Sequence, residues 1–218
     1  MSRIVEITYL GHSSFRLKGK SAVVVTDPYD EKCGKYPRDI TADMVTVSHD
    51  HGDHNATKLL SSSFIVRGPG EYEVKGVSVV GVHTWHDDKN GVERGANSVY
   101  VIEIDGLRVA HLGDLGHKLA QEQIDEMGPV DVVLVPVGGV YTIDAKIAAE
   151  VVRQVDPWVA IPMHYQQGGL DAKVFGQLGG VGEFLSEMGK GEVQPVAKYV
   201  ITVDKLPSEM QVVVLERK

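Results

Sequence analysis

The sequence predicts an α/β fold that forms one domain, spanning residues 1–218 and built of two similar halves. The length of 218 residues falls within the usual range for one domain. Hydrophobic residues make up 43% of the chain and charged residues 24%, as in ordinary globular proteins. Short β-prone segments fill the first part of the chain, and strand and helix patterns alternate in the second, which indicates the α/β class.

Four strands are predicted first, at residues 4–10, 14–17, 22–25 and 44–47. The third is a continuous apolar run, which is typical of a strand buried on both faces. Between the third and fourth strands, residues 28–42 contain two prolines, Gly34 and several charges, so we expect a long loop there.

The next segments predict a short helix at 57–61 and a strand at 64–66. Residues 74–85 alternate weakly around Gly76 and Gly81, which predicts one strand with a bulge. A charged loop follows at 86–95. Strands at 98–104 and 107–110 are joined by Asp105-Gly106, a strong hairpin signal.

The last part of the chain alternates between helix and strand. Helices are predicted at 118–127 and 143–155, because apolar residues recur at helical spacing in the second and Pro157 follows its end. Strands are predicted at 130–137 and 159–163. Two short helices within 168–191 and strands at 199–203 and 211–215 complete the chain.

Charge and cysteine content exclude several classes of protein. The net charge of −8 argues against binding to nucleic acid or to an anionic membrane, both of which favour basic surfaces. The one cysteine, Cys33, excludes an internal disulfide and a thiolate-rich zinc site. No apolar run approaches the roughly 18 residues of a membrane span, and Glu6 interrupts the apolar start of the chain. We therefore expect a cytoplasmic protein.

The strongest functional signal is a histidine-rich segment after the fourth strand. His49, His51, Asp53 and His54 fall within six residues, and chance placement of nine histidines in 218 residues rarely produces this. Alternate residues of an extended segment point the same way, so His49 and His51 can face one point. A histidine–carboxylate set suits an open, catalytic metal site, whereas closed structural zinc sites are built mostly of cysteines.

These residues and several others resemble a known family. The pattern His49-x-His51-x-Asp53-His54 resembles the signature of the metallo-β-lactamase superfamily. Supporting motifs follow in order: Gly113-Asp114-Leu115-Gly116 and Ile161-Pro162-Met163-His164-Tyr165. Three further motifs resemble the small zinc-dependent hydrolases related to ascorbate-6-phosphate lactonase: Gly11-His12-Ser13-Ser14, Thr26-Asp27-Pro28 and Pro136-Val137-Gly138-Gly139. The resemblance implies a four-layer αβ/βα sandwich of the metallo-β-lactamase type.

The resemblance also implies a set of seven metal ligands. One ion would take His49, His51 and a histidine from the 81–88 segment, and the other Asp53, His54 and His164, with Asp114 shared. His83 and His86 compete for the open position. We favour His86, because it begins a loop and ligands usually lie at strand ends.

Other polar residues near these motifs have alternative roles. His12 would contact substrate or move a proton, but a structural role in its turn is equally consistent with the sequence. Asp27 is expected to brace the ligand loop by hydrogen bonding, and His111 to be a core or supporting residue. Tyr141 and Tyr165 lie at strand ends, where either a packing role or contact with a substrate oxygen fits.

We therefore expect a hydrolase with two Zn²⁺ ions per chain, with Mn²⁺ as an alternative metal. A hydroxide bridging the two ions, oriented by Asp53, would cleave an ester, lactone or phosphodiester of a small anionic metabolite. The alternative is a phosphodiesterase or nuclease-like enzyme acting on RNA or nucleotide ends, which the net charge disfavours. A non-catalytic metal-binding scaffold is the third class. The sequence does not indicate the oligomeric state.

Overall fold

Two β-sheets lie face to face in the computed structural model, which describes residues 3–218. Residues 1 and 2 of the predicted 1–218 domain lie outside the described residues. The thirteen strands within that range are, in chain order, β1 (Ile4–Gly11), β2 (Ser14–Lys18), β3 (Val23–Thr26), β4 (Thr41–Val47), β5 (Ser61–Arg67), β6 (Gly70–Val74), β7 (Val77–Trp85), β8 (Ala96–Ile104), β9 (Leu107–His111), β10 (Val132–Pro136), β11 (Val159–Met163), β12 (Tyr199–Thr202) and β13 (Gln211–Val212). The α-helices are α1 (Gln121–Met127), α2 (Ala145–Val155), α3 (Ala172–Phe175) and α4 (Val181–Glu187).

The first sheet has the order β12-β1-β2-β3-β4-β5 and the second β13-β11-β10-β9-β8-β7-β6. In the first sheet β3, β4 and β5 are parallel, and in the second β9, β10, β11 and β13 are parallel. Parallel neighbours end at the same edge of their sheet. The loops that follow β3 and β4 therefore start side by side, and those that follow β9 and β11 start at the same edge of their sheet, on either side of β10.

Apolar residues form three layers of core. The layer between the sheets is filled by alternate residues of both, including Tyr9, Phe15, Ile102, Leu134 and Ile161. Helices α1, α2 and α4 pack on the outer face of the second sheet. The outer face of the first sheet is covered by the segment after β3 and by Phe175 of α3. The predicted α/β sandwich is thus present, with its layer outside the first sheet made largely of loop.

Helix α2 shows how the local sequence produces these layers. The side chain of Asp144 accepts a hydrogen bond from the backbone N–H of Ile147 and caps the helix, which stabilises it by about 1 kcal/mol. Ala148, Val151 and Val152 fall on the face that is buried against the second sheet. The helix ends at Val155, and Asp156 caps it in a left-handed conformation before Pro157.

The predicted bulged strand at 74–85 is wrong. The segment belongs to a hairpin of β6 and β7, because Lys75 and Gly76 both adopt positive φ and reverse the chain. Gly81 pairs regularly with both neighbouring strands. A side chain there would meet the carbonyl oxygen of Gly68 at 2.8 Å, so this glycine permits close packing of the backbone.

Other boundaries differ by a few residues. The predicted helix at 57–61 is a single 3₁₀ turn over Thr57–Leu59, and β5 begins at Ser61. Helix α1 begins at Gln121 instead of residue 118. At this end the side chain of Gln123 accepts a hydrogen bond from the N–H of Ala120. No helix among the described residues is long and apolar enough to cross a membrane.

Candidate metal centre

The turns after β4 place the histidine-rich segment at the edge of the first sheet. The N–H of His54 donates to the carbonyl of His51 at 2.9 Å, which closes a tight turn. The N–H of Asp30 donates to the carbonyl of Gly52 at 3.0 Å and ties this turn to the segment after β3. A side chain on Gly52 would meet the Asp30 carboxylate at 2.6 Å, so the glycine permits this contact.

Three other strand ends bring their side chains to the same place. His86 follows β7, Asp114 follows β9 and His164 follows β11. The ligand atoms of His49, His51 and His86 all lie within 4.8 Å of one another. A second group, with the same spacing, contains His12, Asp53, His54 and His164. Distant segments of the chain thus converge into two adjacent sets of potential ligands.

Asp114 lies between the two groups. Its Oδ2 atom is 3.3 Å from Nε2 of His86 and 3.9 Å from Nε2 of His49 in the first group. It is 3.2 Å from Nε2 of His54 and 3.3 Å from Nε2 of His164 in the second. One carboxylate therefore borders both ligand sets.

Several buried atoms of this cluster lack a hydrogen-bond partner among the described residues. They include Nε2 of His49, His54 and His164, and Oδ1 of Asp114. Burying such atoms without a partner is costly, and buried polar groups nearly always have one. Imidazole nitrogens and a carboxylate oxygen are suitable ligands for Zn²⁺. The donor set therefore fits metal ions, which would supply the missing partners.

Asp27, at the end of β3, sets the tautomers of two of these histidines. Its carboxylate accepts hydrogen bonds from the N–H and hydroxyl of Ser48 and from Nδ1 of His54, the last at 2.8 Å. Because the Ser48 hydroxyl donates to Asp27, its oxygen is free to accept from Nδ1 of His49 at 3.0 Å. Both imidazoles therefore carry their proton on Nδ1 and present Nε2 to the cluster.

Opposing effects set the protonation of the cluster. Burial would raise the pKa of Asp114, but His164 and His54 outweigh it and hold that pKa well below its usual value. Burial would likewise raise the pKa of Asp53, yet His54 and the hydrogen bond with His12 lower it. Burial and the neighbouring His54 lower the pKa of His49. The carboxylates are thus ionised at neutral pH and His49 is neutral. Burial would lower the pKa of His54, but Asp114 and Asp53 outweigh it and raise that pKa well above its usual value, so a metal ion binding at Nε2 of His54 would displace a proton.

His12 lies next to Asp53 and is fully buried. Its Nε2 atom is 3.3 Å from Oδ2 of Asp53, and its ring packs 4.1 Å from that of His164. Burial and the neighbouring His164 lower the pKa of His12 to about 4. A neutral imidazole that donates to Asp53 can hold this carboxylate in place.

The remaining predicted residues lie around the cluster. His83 is exposed and packs on Trp85, with ring centroids 4.3 Å apart, while His86 joins the ligand group. The Tyr141 hydroxyl donates to the carbonyl of Val174 at 2.8 Å, and Tyr165 is buried in the core of the second sheet. His111 is buried between the carbonyl of Ser13 and the N–H of Gly113.

Sequence reasoning missed three supporting residues. Ser48 relays the hydrogen bonding of Asp27 to His49. Asn97, fully buried, accepts the N–H of Asp114 at 3.0 Å and so holds the backbone of the shared carboxylate. Asp87 organises the loop after His86. Only for Asp87 did the sequence carry a signal, because Asn90-Gly91 downstream predicts a tight turn that a preceding aspartate can stabilise.

Two cavities adjoin the cluster. One, of about 520 Å³, is bordered by His49 and His51, and the other, of about 450 Å³, by His86. Part of the predicted loop at 86–95 forms walls of both cavities. The ligand cluster is therefore accessible from two sides.

Comparison with known proteins identifies the fold. The family of beta-lactamase superfamily domains matches residues 6–164 of the chain. A metal-dependent hydrolase of the UPF0173 family from Thermococcus onnurineus is 30% identical over 191 residues, which cover 74% of this chain and 85% of the relative. One from Methanopyrus kandleri is 31% identical over 193 residues, with 74% and 84% coverage.

Solved structures give the same result. A protein from Thermotoga maritima, assigned to the zinc-dependent hydrolases of the metallo-beta-lactamase superfamily, is 38% identical, with a TM-score of 0.80 over 98% of this chain and all of that one. The metallo hydrolase Igni18 from Ignicoccus hospitalis is 21% identical and shares the fold, with a TM-score of 0.65 over 91% of this chain and 98% of that one. The predicted metallo-β-lactamase-like fold class is confirmed.

Proposed function

Because the chain belongs to the beta-lactamase superfamily, we propose that it is a hydrolase that uses two zinc ions to cleave an ester, lactone or phosphodiester of a small anionic metabolite. The observation that carries this proposal is the position of Asp114 between two groups of histidine and carboxylate ligands. Relatives that are about 30% identical are metal-dependent hydrolases by name, which supports the same activity.

In this proposal His49, His51 and His86 would hold one ion and Asp53, His54 and His164 the other, and Asp114 would serve as a ligand for both. Two divalent ions held there would activate a water molecule and polarise the bond that is cleaved. Zinc suits this set of imidazoles and carboxylates, and manganese is an alternative metal.

The side chains around the ions would orient and deprotonate the attacking water. The carboxylate of Asp53 is ionised and about one-fifth exposed, so it can accept a proton from that water at its free oxygen. His12 is buried beneath it and donates to its other oxygen. We therefore assign proton transfer to Asp53 and the orientation of Asp53 to His12.

The size of the cavities supports a small substrate. Volumes of about 520 and 450 Å³ lie in the range, roughly 300–1,000 Å³, that is typical of small-molecule sites. Both cavities are bordered by Arg94, and the first also by Arg67. These guanidinium groups favour an anionic substrate although the chain as a whole is acidic.

One observation favours the alternative, a phosphodiesterase acting on RNA or nucleotide ends. A third cavity, of about 880 Å³, begins at Asn55 beside the cluster and is lined by Lys35, Arg38 and Lys58. No local pattern in the sequence indicates this basic cluster, because Lys58 is distant in the chain from Lys35 and Arg38. Asp30 and Glu31 line the same cavity and reduce its positive charge. Binding of short RNA that weakens steeply with salt would support this alternative.

Metal analysis and hydrolysis assays test the main proposal. We expect about two zinc ions per chain and hydrolysis of bis(4-nitrophenyl) phosphate or of members of a lactone panel. Asp114→Ala and His51→Ala should reduce the activity more than about 100-fold, since even supporting residues of metal sites contribute 10–100-fold. Asp125→Ala, a surface change on α1, is the matched control. A metal-loaded protein that cleaves no ester, lactone or phosphodiester would contradict the proposal.

A further inference from the structure

Arg94 has a position that none of the predicted site residues shares. Its side chain borders both cavities beside the ligand cluster, the one that contains His49 and the one that contains His86. We propose that Arg94 binds an anionic group of the substrate that is distant from the bond to be cleaved, and that Asp87 is the positioning residue that holds Arg94 there. This inference rests on the proposed function.

The backbone around Arg94 is fixed by one buried carboxylate. Asp87 accepts hydrogen bonds from the backbone N–H groups of Lys89, Gly91, Glu93 and Arg94, at distances of 2.7–2.9 Å. These hydrogen bonds hold the pKa of Asp87 at about 2, against the effect of its burial. Asp87 is only 3% exposed, although aspartates ordinarily lie on the protein surface. The carboxylate is therefore an internal template for the loop.

Packing fixes the same loop to the ligand cluster. The N–H of His86 donates to the carbonyl of Gly95 at 3.0 Å, which joins the first and last residues of the loop. A side chain on Gly116 would overlap the backbone of Asp87, and one on Gly91 would meet the ring of Trp85 at 2.5 Å. The loop thus carries a proposed metal ligand at one end and Arg94 at the other, in a fixed relationship.

The guanidinium of Arg94 is held but not neutralised. It lies over the ring of Tyr141, 5.8 Å from the centroid, and donates to the carbonyl of Val140 at 3.3 Å. Glu93, its acidic neighbour at 3.6 Å, also pairs with Lys89. The side chain is 34% exposed. Since a guanidinium has five N–H donors, the contacts that Arg94 makes with the described residues leave donors for a ligand.

The other arginine of the first cavity is less suited to this role. Arg67 pairs with Asp50 at 3.5 Å, and its side chain is 47% exposed. The Arg94–Glu93 pair is of similar length, so the two arginines differ in their position and not in their ion pairs. Of the two cavities that adjoin the cluster, Arg67 borders only the first, whereas Arg94 borders both and can reach a ligand in either.

The charge selectivity of matched substrates tests the assignment. The probes are 4-nitrophenyl butanoate, which is neutral, and 4-nitrophenyl 4-sulfobutanoate, whose sulfonate is a fixed anion and a poor nucleophile. We expect Arg94→Met to reduce kcat/KM for the sulfonate ester by about ten-fold or more, mainly through KM, because a charge-assisted hydrogen bond to the anion is lost. The neutral ester should change less than about two-fold, and Arg94→Lys should be intermediate.

Two further variants separate specific binding from other effects. Arg153→Met makes the same change in net charge at an exposed residue of α2 that borders none of the three cavities, and it should leave the ratio of the two esters unchanged. Asp87→Asn should lower that ratio as Arg94→Met does. Because the ratio cancels any effect transmitted through His86, a merely structural role of Asp87 would not move it.

An unchanged ratio in Arg94→Met, or an equal change in Arg153→Met, would overturn the assignment. If the metal-loaded wild-type protein cleaves neither ester, ester hydrolysis fails but the anion site is still decided by a second measurement. Inorganic phosphate is added to the metal-free chain, and the arginine Nε–H resonances are followed by NMR. The Nε–H resonance of Arg94 is identified as the one that disappears in the Arg94→Met spectrum. A saturable shift of this resonance with phosphate supports the site, and the absence of a shift overturns it.

Discussion

Nδ1 of His54 lies 2.8 Å from a carboxylate oxygen of Asp27, which stands at the end of the neighbouring strand. The two residues meet because β3 and β4 are parallel and end at the same edge. Through Ser48 the same carboxylate also orients His49. In the proposed site His54 and His49 hold different ions, so one buried aspartate would prepare a ligand for each of them.

Asp27→Asn should therefore weaken metal binding by about 10–100-fold, the usual effect of losing a supporting carboxylate. An amide cannot accept hydrogen bonds at both terminal atoms, and its N–H₂ group would face Nδ1–H of His54. His54 could then move its proton to Nε2, the atom that faces Asp114. Titration with zinc against a competing chelator measures the change.

Asp125→Asn on α1 makes the same chemical change far from the cluster and should leave zinc affinity unaltered. Equal zinc affinities for Asp27→Asn and the wild-type chain would show that Asp27 does not set the tautomers of the ligands.

Asp114→Asn should reduce the number of bound ions from two to at most one per chain. The carboxylate borders four histidines at 3.2–3.9 Å, and its negative charge would offset the repulsion between two cations. Metal content after dialysis, measured by inductively coupled plasma mass spectrometry, gives the stoichiometry. Two tightly held ions in the variant would mean that the two groups do not share this ligand.

A glycine near the cluster should be as sensitive as the ligands themselves. A side chain on Gly138 would overlap the carbonyl oxygen of His164, so Gly138→Ala has to displace the backbone of a proposed ligand. Overpacking of this kind costs about 1–3 kcal/mol of unfolding free energy, and we expect weaker zinc binding as well. Chemical denaturation and zinc titration measure the two effects.

Gly182 in α4 provides the matched control. Nothing lies within 4 Å of a side chain built there, and the residue is exposed within a helix. Gly182→Ala should stabilise the chain by roughly 0.5–1 kcal/mol, because alanine favours the helix. The packing argument would be contradicted if Gly138→Ala lowered the unfolding free energy by no more than the size of the change that Gly182→Ala produces.

The sequence predicts strands and hairpins well where local signals determine them. Asp105 and Gly106 both adopt positive φ and join β8 to β9 as expected. The bulge predicted around Gly76 was wrong, because weak alternation does not distinguish a bulge from a turn. The distinction depends on the pairing partners of the segment, and these come from distant parts of the chain.

The same limit applies to the candidate site. The six-residue pattern from His49 to His54 is local and was visible in the sequence. The choice between His83 and His86 depended on where β7 ends, and the structure places His86 just beyond its last residue. The roles of Ser48 and Asn97 depend on three-dimensional contacts with Asp27 and Asp114, so no pattern in their own segments reveals them.

The hydrogen bonding of His111 leads to a prediction about pH. Nε2 donates to the carbonyl of Ser13 at 2.7 Å, and Nδ1 accepts from the N–H of Gly113 at 3.2 Å. This arrangement requires the neutral imidazole. Burial lowers the pKa of His111 below its usual value, whereas in the unfolded chain it returns to about 6.5. As the pH falls below about 6.5, the unfolded state therefore binds more protons at His111 than the folded state does.

The contribution of His111 to stability should be complete above that pH and decrease as the pH falls through the value of the unfolded chain. His111→Gln keeps a donor near the position of Nε2 but cannot titrate. The stability difference between the metal-free wild-type chain and this variant should shrink between pH 8 and pH 5, by at most about 1.4 kcal/mol per pH unit. Urea denaturation at each pH measures this difference. A stability difference that is constant or grows towards pH 5 would show that His111 is not held neutral. The pH dependence of the variant itself accounts for the other histidines.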